Sequence, residues 1–319
     1  MLRSGLAFIV SHLAVDGSLP VQLIPDHVFR AATDDEITQI KRTLQLSIPS
    51  DSYSWVPYEG LVKAEHRAGS TSFNIEPLPR EKWKYWAIAF DGQNGQLHEL
   101  ELVAQLLPFA FDVGFVLFYE LPSQQGSLQG RQTMPMHIVE KYGHPAQSQT
   151  NAESVTSEQI ASIGTWFDLY RAMPGEYEFV KIAIANFADL RRVPKTSDLV
   201  VVGLFSIIES LITHAPRLTE TLDSINHQIT NKIVLLRKRY GRPVVPSAYF
   251  LHAAEESIWK KLYSYRSSVA HGTPVSIEKT ALQVLRDRDT VIRFLQDNVK
   301  ELLLLGMREP GFLFDLRRC

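Results

Sequence analysis

KKLYSYRSSVAHG, Lys260 to Gly272, is the stretch on which the reading of the second half of this chain turns. It closes a long helical pattern that begins near Ala248 and runs into Gly272 and Pro274. It also sets an arginine and a histidine five positions apart, Arg266 and His271. Within an unbroken helix that offset would separate the two side chains by about 140°, so they would not share a face. A helix end changes the geometry. Glycine at the end takes a left-handed cap and proline cannot continue the helix, so His271 is expected to fold back toward Arg266. A guanidinium beside an imidazole at a helix end suits work on a phosphodiester, the one holding phosphate charge and the other moving protons.

Outward from this motif the pattern is helical as far back as Thr156. TSEQIASIGTWFDLYRAM and EYEFVKIAIANFADLRR are separated by Pro174-Gly175, and Ser197 is placed to cap SDLVVVGLFSIIESLITH. The amphipathic stretch LTETLDSINHQITNKIVLLRKRYG closes at Gly241, and the last helix is expected to start with a capping serine at Ser276 and end at Gly306. Short connections between four such helices predict an antiparallel bundle.

The first half has a different texture. A helix is expected from Thr33, where a capping residue precedes Asp34, Asp35 and Glu36. KYWAIAFDG and VGFVLFYEL read as strands, NGQLHELELVAQLLPF between them as a helix, and SQQGSLQG as a polar loop. HPAQSQTNAES, His144 to Ser154, is the best linker candidate. The fold class expected is therefore α+β, with a mixed α/β domain over 1–150 and a helical domain over 151–319.

Composition sets outer limits. With 45% apolar and 21% charged residues the 319-residue chain has the makeup of an ordinary globular protein, long enough for two cores. A net charge of −2 excludes a generally basic coat, so any nucleic-acid contact must be local. The single cysteine, Cys319, excludes an internal disulfide or a cysteine-based zinc cluster. The apolar run in MLRSGLAFIVSHLAV has no small-residue cleavage site after it, and no apolar stretch reaches the length of a membrane span. The expectation is a cytoplasmic protein with no membrane association. No GxGxxG, P-loop, GxSxG or HxxxH pattern is present, so no cofactor and no metal is expected.

The order of these features resembles the HEPN family, and within it the Apea-like HEPN domains. The likeness rests on FSIIESL, with Glu209 at the family's acidic position, on the basic-ended helix KIVLLRKRYG, and on KKLYSYRSSVAHG. It covers about 197–306 and implies a C-terminal all-α, HEPN-like four-helix bundle behind an N-terminal α+β sensing or regulatory domain. The activity implied is that of a metal-independent endoribonuclease in which the RNA 2′-hydroxyl is the nucleophile. Arg266 and His271 would be catalytic, Arg266 on the phosphoryl oxygens and His271 as base or acid, since histidine titrates nearest neutral pH. Ser267 stands where the family often carries Asn, Asp or His, and it and Glu209 would support the pair. Lys260, Lys261 and Tyr265 are the expected RNA contacts, within a segment from Arg217 to His271 that carries nine basic residues against four acids. One histidine does not reach both the attacking and leaving oxygens, and family members pair two bundles about a twofold axis, so a homodimer is implied. The biological setting implied is bacterial anti-phage defence or a toxin system, with a regulatory or antitoxin partner. The competing reading is a non-catalytic module for dimerisation or partner binding, with the arginine and histidine structural.

Overall fold

The computed structural model describes residues 4–11, 13–47, 63–66, 73–76, 85–91, 95–109, 112–119, 128–130, 153–194, 196–215, 224–251, 254–273, 276–277 and 281–319. Pro274, Arg217 and linker positions 144–152 lie outside them. The chain forms two compact units, Met1–Phe167 and Asp168–Cys319. The fold is α+β, an antiparallel sheet followed by helices.

In the first unit, β1 (Gly5–Ile9), β3 (Val21–Ile24), β4 (His27–Ala31), β7 (Trp86–Phe90), β8 (Val113–Tyr119) and β9 (Leu128–Gly130) make a six-stranded sheet in the order β3-β4-β7-β1-β8-β9. All its pairings are antiparallel. β2 (Leu13–Asp16) pairs in parallel with β10 (Glu153–Thr156), and β5 (Lys63–His66) pairs with β6 (Phe73–Glu76). The N-terminal apolar run is thus an inner strand, β1, with every residue buried. Leu6, Phe8 and Val10 share one face and pack with Ile37, Ile40 and Leu44 of α1 (Asp34–Ser47) and with Phe115 and Leu117. Thr33 and Glu36 form the reciprocal capping box that opens α1: Glu36 N–H donates to Thr33 Oγ1 at 3.4 Å, and Thr33 N–H to Glu36 Oε2 at 2.7 Å. KYWAIAFDG and VGFVLFYEL supply β7 and β8 as expected, with α2 (Gly95–Ala104) between them. The segment read as the loop SQQGSLQG ends instead in β9, an edge strand held by its ladder to β8 rather than by an apolar pattern. Glu153 and Ser154, the last residues of the linker candidate, belong to β10, which leads into α3 (Ser157–Ala172).

The second unit continues through α4 (Glu178–Leu190), α5 (Leu199–Ile212), α6 (Ile225–Leu236), α7 (Glu255–Ala270), α8 (Arg288–Arg308) and α9 (Pro310–Arg318). α5 is apolar around most of its circumference because it is enclosed, packing against α4, α6, α7, α8 and α9. Phe205 of α5 meets the edges of Trp259 and Tyr263 of α7, and Trp259 packs on Phe294 of α8.

The last long helix departs from expectation at both ends. It starts at Arg288, where Asp287 caps Thr290 N–H at 2.7 Å, and Ser276 is not its cap. The preceding Arg286 has φ +63°, which stops helical geometry from propagating back toward Ser276. It runs on to Arg308, with Gly306 inside it. A Cβ at Gly306 would lie 3.1 Å from Leu313 Cδ1 and 3.1 Å from Val180 Cγ1, so this glycine serves close packing rather than termination.

Candidate functional site

α7 ends as its sequence requires. His271 is the C-cap residue and Gly272 follows at φ +67°. Gly272 N–H donates to the Val269 carbonyl at 3.1 Å and Thr273 N–H to the Ser268 carbonyl at 2.9 Å. These two bonds form a complete Schellman closure, the left-handed glycine cap anticipated from Gly272.

Arg266, in the last full turn, faces α5. Its Nη2 lies 3.2 Å from both carboxylate oxygens of Glu209, hydrogen-bonding Oε2. Its guanidinium also sits over the Tyr263 ring, 5.6 Å from the centroid. The pair is recessed, with side chains 23% and 18% exposed. Glu209 Oε1 and Arg266 Nε are both buried without a hydrogen-bond partner. Burial pushes the Glu209 carboxyl above the ordinary carboxylate range, and the Arg266 charge only partly opposes it.

His271 is exposed, and among the described residues its imidazole makes no hydrogen bond or ion pair, with Arg266 or otherwise. Arg266 and Glu209 are thus brought together, while the histidine stands free beyond the helix end. Ser267 is half-buried between them in sequence, and its carbonyl accepts the His271 N–H at 3.0 Å.

The expected RNA contacts fare unequally. Lys260 is exposed and has no ion-pair partner among the described residues. The Lys261 ammonium is engaged by the Ala281 carbonyl. Tyr265, expected to stack on RNA, is instead 3% exposed, so its ring is not presented to a base. Its hydroxyl donates to Asp198 Oδ1 at 3.1 Å, and burial followed by the Asp198 charge pushes its pKa up to about 12. The surrounding basic residues are largely tied into the fold. Arg237 pairs with Glu255 at 2.7 Å, Arg239 with Glu309, and Arg242 with Asp297 at 3.0 Å and Glu301 at 3.3 Å. Lys232 is buried with its ammonium on the Ile212 carbonyl at 2.9 Å. Of the eight described basic residues in this segment, Arg237, Arg239, Arg242 and Arg266 are in ion pairs, Lys232 and Lys261 sit on carbonyl oxygens, and Lys238 and Lys260 are exposed.

Asp198, just ahead of α5, accepts at Oδ1 from both Tyr265 and Arg288 Nε, the latter at 2.6 Å. Arg288 Nη2 also donates to the Ser197 carbonyl at 2.7 Å. Ser197, Asp198, Leu199, Tyr265, Val269, Gly272 and Thr273 line a cleft of about 290 Å3. Asp198, rather than the expected Ser197, is the N-cap residue of α5, and its partners lie 67 and 90 residues away in sequence.

Among the described residues no helix is long and apolar enough to cross a membrane, and no group of three or more His, Cys, Asp or Glu side chains could hold a metal ion. The chain matches no protein-family model, no curated protein and no solved structure.

Proposed function

We propose that the chain is a metal-independent endoribonuclease of the HEPN type, with α5 to α8 as its four-helix bundle and Arg266 and His271 as its catalytic pair. The observation that carries this reading is the contrast at the end of α7. A recessed arginine keeps unused donor capacity, while the cap residue His271 stands exposed with no side-chain partner among the described residues. RNA supplies its own nucleophile, so the protein must take a proton from the 2′-hydroxyl, steady the anionic phosphorane and protonate the leaving 5′-oxygen. Arg266 suits the second task through charge-assisted hydrogen bonds. His271 suits either proton transfer. One histidine serves one side of an in-line displacement, so a homodimer with two facing motifs would complete the site. Ser267 and Glu209 would position the arginine, and Lys260 would meet a nearby phosphate. A cytoplasmic effector of anti-phage defence or a toxin system, restrained by the first unit or by a partner protein, is the setting that goes with this chemistry.

The test is cleavage of single-stranded RNA in EDTA, with products ending in 2′,3′-cyclic phosphate and 5′-hydroxyl. Arg266→Ala and His271→Ala should each lower the rate by a hundredfold or more with circular dichroism unchanged. Activity that persists in both variants overturns the assignment.

A second reading, a non-catalytic interaction module, is favoured by the ion pairing of Arg266 with Glu209. It predicts that His271→Ala changes partner affinity or dimer strength and that no RNA cleavage is measurable.

A further inference from the structure

We infer that the cleft between the end of α7 and the start of α5 is a nucleobase subsite selective for bases carrying an exocyclic amino group; this rests on the ribonuclease reading. The cleft adjoins the motif directly, since Val269, Gly272 and Thr273 flank His271 in sequence and all three line it. At about 290 Å3 it is near the lower end of ligand-sized clefts and suits a single base better than a larger ligand. Its apolar surface is Val269 and Leu199, the latter 63% exposed at the start of a helix. Gly272 adds open backbone, because a Cβ at that position would meet nothing within 4 Å. A flat ring can therefore lie against Leu199 and Val269 without displacing protein.

Selectivity comes from Asp198. Its carboxylate is held in place by Tyr265 and Arg288, and both bonds fall on Oδ1. Oδ2 has no hydrogen-bond partner among the described residues, so a side chain that lines the cleft keeps one acceptor oxygen for a ligand. Arg288 offsets the Asp198 charge at 2.6 Å, which makes the remaining oxygen a better acceptor for a neutral N–H than an anchor for an ammonium ion. The N6 amine of adenine, the N4 amine of cytosine and the N2 amine of guanine meet that requirement. Uracil offers one N–H flanked by two carbonyl oxygens, which a carboxylate repels. The base is read beside the bond being cut, with Asp198 as a specificity residue and His271 as the adjacent proton carrier.

Methyl NMR titration of the full chain with 5′-CMP, 5′-AMP and 5′-UMP tests the subsite without any need for turnover. CMP and AMP should shift the Leu199 and Val269 methyls with roughly tenfold tighter affinity than UMP, as one hydrogen bond to a charged acceptor allows. Asp198→Asn, which keeps an acceptor for Tyr265 and Arg288 and adds a donor, should remove that preference. Leu199→Glu, at an exposed position, should weaken all three nucleotides about tenfold. Equal affinity for UMP, or no shift of these methyls with any nucleotide, overturns the proposal. So does a shift produced by a lysine-bearing peptide and not by nucleotides, which would assign the cleft to a protein partner. Sequencing of cut sites in random RNA separates the two layers. Uracil depleted roughly tenfold at one fixed position by the wild type, and restored by Asp198→Asn, supports the subsite. Cleavage with no base bias removes the subsite and leaves the nuclease. No cleavage alongside amine-selective nucleotide binding removes the nuclease and leaves the subsite.

Discussion

Arg30–Glu36 in the first unit and Arg266–Glu209 in the second are both recessed arginine–glutamate pairs, yet they are wired in opposite ways. Glu36 receives Arg30 through two nitrogens at 2.7 Å each, the Thr33 N–H at 2.7 Å and the Tyr119 hydroxyl at 3.0 Å. Burial pushes its carboxyl up, but these donors together hold it below the ordinary range. Glu209 meets a single arginine nitrogen at 3.2 Å, and there burial wins. Donor count, not the presence of an arginine, sets the direction. The first pair binds sheet to helix and uses its hydrogen-bonding capacity. The second leaves Arg266 Nε and Glu209 Oε1 buried without hydrogen-bond partners, which is costly for structure.

The sharpest way to break this comparison is Arg30→Met, which strands a carboxylate whose side chain is only 6% exposed. Denaturant melts should show a loss of about 3–5 kcal/mol, and a loss below about 1 kcal/mol would mean the pair is not the staple described. Arg266→Met should cost less, about 1 kcal/mol, because Glu209 meets it through a single nitrogen at 3.2 Å rather than through several donors. Gly272→Ala belongs at a similar size, about 1 kcal/mol, since its cost is the positive φ alone.

Acid titration tests the same contrast by sign. The depressed Glu36 contributes stability above its unfolded value of about 4.3 and loses it as pH falls through the lower folded value. For Glu209 the folded value is raised, so its contribution is full below about pH 4.3 and fades as pH rises through the folded value. Glu36→Gln should therefore grow less favourable relative to wild type as pH rises from acid to neutral, and Glu209→Gln more favourable. Parallel slopes in chemical denaturation would refute the distinction. Smallest of all is His271→Ala, expected to leave stability within about 0.5 kcal/mol while removing cleavage. A clear drop in melting temperature would give the imidazole a structural role.

What could be read in advance was local or periodic. The Thr33–Glu36 box, the Gly272 closure and the apolar face of α5 each follow from residues a few positions apart. Glu209 was singled out through the resemblance alone, since its partner Arg266 lies 57 residues away on another helix. Less was legible where strands are short and buried on both faces, because GLAFI shows no alternation to mark it as β1. β9 gives no apolar signal at all, since an edge strand needs only a neighbour's backbone. Tyr265 misled for a related reason: an aromatic beside an arginine looks like a stacking platform until Asp198, far off in sequence, claims its hydroxyl. The paired arginines of the basic segment were opaque in the same way.

α5 also works as a ruler. Asp198 at its start and Glu209 in its last turn are separated by roughly 16 Å of helix, and they grip Tyr265 and Arg266, neighbours on α7. The span from the cleft to the arginine is thereby written into the length of one rigid rod. Inserting a single residue into α5 would swing Glu209 by about 100° relative to Asp198, and α7 could then satisfy one anchor or the other but not both.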